Sequence, residues 1–151
     1  MMIIARSMGY EDILNAVKGK RVVVWTCGTC ARLCYGIGGT EAAARLAEEL
    51  NKDGVNASAV HVSAACLTAK VKVKADGLKE ADAVVSLTCA VGDACLRNMF
   101  RGEIITPLIT LGHGYADADG SFIVTSGDGV TMSVTAEKAA RDRNAHLAPI
   151  V

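Results

Sequence analysis

Continuous apolar runs and amphipathic segments alternate along the chain. The apolar runs predict four strands, at Arg21–Trp25, Ala57–Val62, Ala83–Leu87 and Ile104–Leu111. Runs rich in β-branched residues are typical of strands buried on both faces, as in a parallel sheet. Pro107 cannot donate to a β-ladder, so we expect the fourth strand to lie at an edge or to start late.

The amphipathic segments between these strands predict helices. From a predicted N-cap at Thr40 to a predicted C′ residue at Gly54, apolar residues recur at the i, i+3, i+4, i+7 spacing of a helical face. Three further helices are predicted, at Tyr10–Val17, Leu67–Leu78 and Val91–Arg101. The second of these also alternates like a strand over Lys70–Lys74, and we predict a helix because parallel strands need a crossover.

The C-terminal part of the chain changes character. Two short strand patterns, Phe122–Thr125 and Val130–Val134, flank Ser126-Gly-Asp-Gly129 and predict a hairpin. A last helix is predicted at Ala136–Arg143. The whole pattern, β-α-β-α-β-α-β followed by a hairpin and a short helix, predicts an α/β fold with an open, mostly parallel sheet of Rossmann or flavodoxin-like type. We expect a single domain over residues 1–151, with the hairpin at 121–135 and a helical tail at 136–151.

Composition and charge narrow the class of protein. The chain has 151 residues, of which 51% are hydrophobic and 21% are charged, and its formal net charge is zero. Without a basic face, generic nucleic-acid binding is not expected. The longest apolar runs are strand-sized, so no membrane span is expected. The start is too short for a signal-peptide core, and acidic residues begin at Glu11, so we expect a cytoplasmic, reducing location.

Cysteines carry the candidate chemistry. Cys27, Cys30 and Cys34 fall within eight positions of each other at the end of the first apolar run, and Cys66 and Cys89 each follow a later strand. Loops at the carboxyl ends of parallel strands share one crevice, so these thiols are expected to converge. In a reducing compartment, clustered cysteines indicate ligands or catalysts before disulfides.

The spacing favours an iron–sulfur cluster but leaves alternatives open. A [4Fe–4S] cluster takes four thiolates; Cys27, Cys30 and Cys34 supply three, and Cys66 and Cys89 compete for the fourth place. Structural zinc is one alternative, because four-cysteine zinc sites also use C-x2-C pairs. Thiol–disulfide exchange through Cys27-Gly-Thr-Cys30 is another, since a C-x-x-C follows a strand. Surplus cysteines are often small core residues, an interpretation we apply first to Cys95.

Other residues give weaker signals. Gly28, Gly38 and Gly39 would let the backbone approach a bound group. A phosphate cradle at Gly36–Gly39 is disfavoured, because the segment lacks G-x-G-x-x-G, and close packing is the favoured explanation there. His113 follows the fourth predicted strand and is interpreted as a loop residue or a donor to the site. His61 and His146 are interpreted as structural. The lysines of Lys70–Lys74 form a solvated face, or meet an acidic partner.

Several motifs, in order, resemble one known family. Val22–Cys34, Gly38-Gly39, Cys66 and Ala81–Cys89 are similar to the C-terminal-type domain associated with methylenetetrahydrofolate reductase, the small iron–sulfur subunit of acetogen-type reductases. The similarity covers roughly residues 8–125. Family members continue into a cysteine-rich ribbon, whereas no cysteine follows Cys95 here.

The resemblance implies an electron-transfer or scaffold subunit without catalytic residues of its own. It implies one cluster on four of the five cysteines at positions 27, 30, 34, 66 and 89. It also implies a larger flavin-bearing reductase subunit, or another redox protein, as partner.

Overall fold

The computed structural model describes residues 2–7, 9–33, 37–119, 121–125 and 131–134. Within these residues the chain forms eight strands and five helices. In chain order they are β1 Met2–Ser7, α1 Tyr10–Val17, β2 Arg21–Cys27, α2 Cys30–Leu33, α3 Thr40–Lys52, β3 Asn56–Val62, α4 Thr68–Lys74, β4 Ala83–Leu87, α5 Ala90–Arg97, β5 Glu103–Ile105, β6 Leu108–Ala116, β7 Phe122–Thr125 and β8 Thr131–Val134. A 3-10 helix at Ala75–Leu78 continues α4.

Four of the strands form a parallel sheet in the order β3-β2-β4-β5. The central strand β2 pairs with β3 on one side and with β4 on the other. Six of its seven residues are buried, as expected for a strand covered on both faces. The predicted α/β class and its parallel sheet are therefore confirmed.

The other four strands form an antiparallel sheet in the order β1-β6-β7-β8. The predicted hairpin is its β7–β8 pair, in which Phe122 lies opposite Val134. The sequence did not predict β1, which pairs with β6 from Met2 opposite Gly114 to Ser7 opposite Leu108. Half of the described strands therefore lie in an antiparallel sheet, of which the sequence pattern predicted the hairpin but not β1.

The predicted fourth strand at Ile104–Leu111 is two strands in two sheets. The first, β5, has three residues and pairs with the edge of β4. The second, β6, leaves for the antiparallel sheet directly after Pro107. Proline has no N–H to continue the ladder, so the chain can change partners at this position.

The helices lie close to their predicted positions. Helices α1 and α3 match their amphipathic patterns, and Gly54 after α3 has the positive φ (85°) of a C′ glycine. The ambiguous segment at 67–78 is helical. Helix α5 ends at Arg97, four residues earlier than predicted, and a further turn follows in which the N–H groups of Met99 and Phe100 both bond to the Leu96 carbonyl. The hairpin turn at 126–129, the predicted helix at 136–143 and His146 lie outside the described residues.

Apolar side chains on the two faces of the parallel sheet form two clusters. The larger one joins β2 and β4 to α1, α3 and the antiparallel sheet, with Leu46 and Leu50 of α3 fully buried. The smaller one joins the opposite face to α4 and α5, with Trp25 and Leu96 at 0% exposure. Helices therefore cover both faces, and the carboxyl ends of β2, β3 and β4 meet at one edge.

Candidate thiol site

Four cysteines lie at this edge of the parallel sheet. Cys27 is the last residue of β2, and Cys30 is the first residue of α2, three positions later. Cys66 follows β3, and Cys89 follows β4 and immediately precedes α5. Because β3 and β4 flank β2, the connection after β2 and the connection after β4 run in opposite directions, and ligands bind at such a point in open α/β sheets. We call this region, defined by these four cysteines, the thiol edge.

The Cys27 sulfur is enclosed by the loops around it. Its side chain is 4% exposed. The main-chain N–H of Ala65 donates to Cys27 Sγ at 3.4 Å, and Thr29 Oγ1 lies 3.1 Å from the same sulfur. These two contacts fix the position of the Cys27 sulfur at the end of β2.

The loop between Cys27 and Cys30 is packed against β3. The N–H of Gly28 donates to the Val62 carbonyl at 2.8 Å, which extends the β2–β3 pairing by one bond. A Cβ placed at Gly28 would lie 2.4 Å from Nε2 of His61. The His61 imidazole therefore occupies the space that a side chain at position 28 would need, and it lies against the loop that carries the cysteines.

Cys89 lies after β4, which pairs with β2 on the side opposite β3. It is buried, and this burial raises the pKa of the Cys89 thiol above its ordinary value. The N–H groups of Gly92 and Val91 in the first turn of α5 lower the same pKa, while the neighbouring thiols of Cys30 and Cys27 raise it further. Cys27 and Cys30 are therefore near enough to Cys89 for their thiols to influence its pKa.

The remaining cysteines differ in their surroundings. Cys66 is exposed, although the preceding residue Ala65 reaches into the site. Cys95 is partly buried against the smaller core cluster, with its sulfur 3.8 Å from Thr68 Oγ1. Cys34 lies outside the described residues, so its predicted role stays a prediction.

The glycine segment before α3 is held by the sheet. Thr26 Oγ1, fully buried, accepts a hydrogen bond from the Gly39 N–H at 2.7 Å and donates to the Leu87 carbonyl at 3.3 Å. A Cβ at Gly38 would lie 2.5 Å from that of Ala31, and Gly39 has a φ of 94°. Packing and backbone geometry are therefore sufficient reasons for both glycines, whether or not they also approach a bound group.

Sequence reasoning misplaced one histidine and undervalued another. His113 was expected in a loop after the fourth parallel strand, but it lies within β6 of the antiparallel sheet, opposite Ile3. His61 was interpreted as structural, yet its ring lies against Gly28 of the cysteine loop. The parallel register that places His61 opposite Thr26 is the signal that identifies it, and this register is a property of the folded sheet.

The donor chemistry of the thiol edge suits a thiolate-bound metal, but the described side chains do not complete a ligand set. Among the residues the structure describes, no three histidine, cysteine or carboxylate side chains are grouped closely enough to hold a metal ion. A cleft of about 380 Å³ lies at the opposite edge of the sheet, beside Arg21 and Asn56 at the starts of β2 and β3. Within the same described ranges, no helix is both long and apolar enough to cross a membrane.

Comparison with protein families, curated proteins and solved structures finds no match to this chain. The resemblance to the methylenetetrahydrofolate reductase domain therefore stays a prediction from the sequence.

Proposed function

We propose that this protein is an accessory electron-transfer protein that binds one [4Fe–4S] cluster at the thiol edge. The observation that carries the proposal is the position of Cys27 and Cys30 after β2 and of Cys89 after the neighbouring parallel strand β4, where the Cys27 and Cys30 thiols raise the pKa of Cys89. When bound, such a cluster supplies reversible one-electron transfer. The strand order β3-β2-β4-β5 is compatible with the Rossmann or flavodoxin-like type expected from the sequence. In this proposal the protein acts beside a larger flavin-bearing subunit, as the small subunit of a reductase of the methylenetetrahydrofolate type.

The surroundings of the thiols favour Cys89 over Cys66 as the fourth ligand beside Cys27, Cys30 and Cys34. Cys89 is 7% exposed and responds to the two neighbouring thiols, whereas Cys66 is exposed to solvent. Main-chain N–H groups at the start of α5 point toward Cys89 and would stabilise its anionic form. Cys27 receives a comparable N–H group from Ala65.

Anaerobic purification with iron, sulfide and zinc analysis tests the proposal. We expect about four irons and four sulfides per chain, and an electron paramagnetic resonance signal after reduction. The cluster should be lost in Cys27→Ser and Cys89→Ser and retained in Cys66→Ser. Cys95→Ser is the matched control, because its thiol lies in a core cluster away from the proposed ligands.

Other results would assign the site differently. About one zinc per chain without sulfide would make the thiol edge a structural zinc site. Metal-free protein that reduces insulin disulfides, and loses this activity in Cys27→Ser or Cys30→Ser, would make it a thiol oxidoreductase. Loss of the cluster in Cys66→Ser but not in Cys89→Ser would exchange the roles of these two residues.

A further inference from the structure

Large apolar side chains are exposed around the thiol edge. Leu33, Leu67 and Val91 are each 53% exposed, and each lies within three positions of a cysteine of that edge. They come from three different connections, after β2, β3 and β4 respectively. Solvent-exposed apolar residues gathered at a functional site are typical of interaction surfaces.

Two of these connections are packed against each other. A Cβ at Gly92, in the first turn of α5, would lie 3.1 Å from the Cβ of Ala65. The sulfur of Cys95 lies 3.8 Å from the hydroxyl of Thr68, the first residue of α4. The turn that carries Leu67 and the turn that carries Val91 therefore form one continuous surface.

Charge is distributed unevenly around this surface. The segments 28–40, 54–75 and 83–92, which lead into and out of the thiol edge, contain no aspartate or glutamate. They do contain Arg32 and Lys70, both exposed. Asp93, two positions after Val91, is buried and paired with Arg97, so the exposed charged side chains within three positions of Leu33, Leu67 and Val91 are basic.

We propose that Leu33, Leu67 and Val91, bordered by Arg32 and Lys70, form the docking surface for an acidic redox partner protein. The proposal rests on the proposed function, since the partner would exchange electrons with a centre directly beneath this surface. The apolar residues would form the buried centre of the contact, and the basic residues would attract the partner's carboxylates. A second copy of this chain is disfavoured as occupant, because it would bring the same basic border against itself.

Binding of an acidic flavodoxin loaded with FMN, measured by calorimetry at low and high salt, tests the surface. We expect binding at low salt that weakens as salt is added. Lys70→Glu should weaken binding by about tenfold or more. The matched control Lys18→Glu makes the same charge change at an exposed position after α1, and should stay within about twofold of the wild type.

The apolar part of the surface has its own matched pair. Val91→Ala should weaken binding, whereas Val73→Ala, at a 76%-exposed position on α4, should not. Both valines are exposed helical residues, so neither change should impair folding. Absence of wild-type binding at low salt, or equal binding by all four variants, would overturn the proposal. So would self-association of the protein that the Lys70 and Val91 variants abolish, since it would assign the surface to a second copy.

Iron and sulfide analysis of the same samples separates this proposal from the proposed function. Metal-free protein that still binds flavodoxin, with the same sensitivity to Lys70→Glu and Val91→Ala, would refute the cluster and support the docking surface. If the variants Lys70→Glu and Val91→Ala carry the cluster and bind flavodoxin as tightly as the wild type, the cluster would be supported and the docking surface refuted.

Discussion

The main-chain N–H of Ala65 donates to the sulfur of Cys27 across 38 positions of sequence, at a distance of 3.4 Å. This bond joins the loop after β3 to the end of β2. It places a backbone donor against the sulfur before any metal is considered, so part of the environment that a thiolate needs is supplied by the fold itself.

The different burial of the cysteines predicts their order of chemical modification in the reduced, metal-free protein. Cys66 is exposed and should react first with iodoacetamide, whereas Cys27 and Cys89 are buried and should react at least about tenfold more slowly. For Cys89 the raised pKa also lowers the thiolate fraction at neutral pH. Peptide mapping by mass spectrometry would follow each site with time. In denaturant the differences should disappear, and rapid labelling of Cys27 in the folded protein would show that its loop is open.

The glycine segment before α3 should lose stability when the buried hydroxyl of Thr26 is removed. Thr26→Val keeps the shape of the side chain but leaves the Gly39 N–H without its bond to Oγ1. Leaving a buried donor unsatisfied costs about 1–3 kcal/mol of unfolding free energy. Thr26→Ser is the matched variant, because it keeps the hydroxyl and loses only a methyl group. Chemical denaturation should show the larger loss for valine; a valine variant as stable as the wild type would mean that the hydrogen bond to Gly39 does not stabilise the fold.

The elements that the sequence predicted well are those whose signal is local. Strand β2 is a run of β-branched residues, and α3 has an apolar stripe that ends at a glycine. By contrast, Met2–Ser7 becomes a strand only by pairing with residues more than 100 positions away, which a local pattern cannot show. The division between β5 and β6 likewise depends on which sheet offers a partner after Pro107.

The same distinction applies to the thiol site. The convergence of Cys27 and Cys89 was predictable, because the ends of neighbouring parallel strands share one edge whatever their register. The contact between His61 and Gly28 could not be predicted from the sequence. It depends on which residue of β3 pairs with which residue of β2, and the sequence pattern does not give that register.

The Asn51 side chain bonds to main-chain groups at the outer edge of β3, where none of the described strands pairs. Its side-chain amide donates to the Ala57 carbonyl at 2.8 Å and accepts from the Ala57 N–H at 3.1 Å, as a neighbouring strand would do. Asn51→Ala should therefore lower the unfolding free energy by about 1 kcal/mol, despite the better helix propensity of alanine. Asn15→Ala, at an exposed position on α1, is the control and should be neutral or slightly stabilising. If thermal and chemical denaturation gave the two variants the same stability, the amide would not be acting as a substitute strand.

Because the pKa of the Tyr10 hydroxyl is raised, we expect the unfolding free energy to fall in alkaline solution. Burial raises the pKa of its hydroxyl above the ordinary value of 10.0, and the hydrogen bond that it donates to Asp53 raises it further. Above pH 10 the unfolded chain would release this proton while the folded chain keeps it, so the unfolding free energy must fall as the pH rises. Tyr10→Phe should remove this dependence between pH 9 and pH 11, whereas Tyr115→Phe, at a 57%-exposed ring, should leave it unchanged. Denaturant titrations across that range would measure the slopes, and parallel slopes for wild type and Tyr10→Phe would show that another group governs alkaline stability.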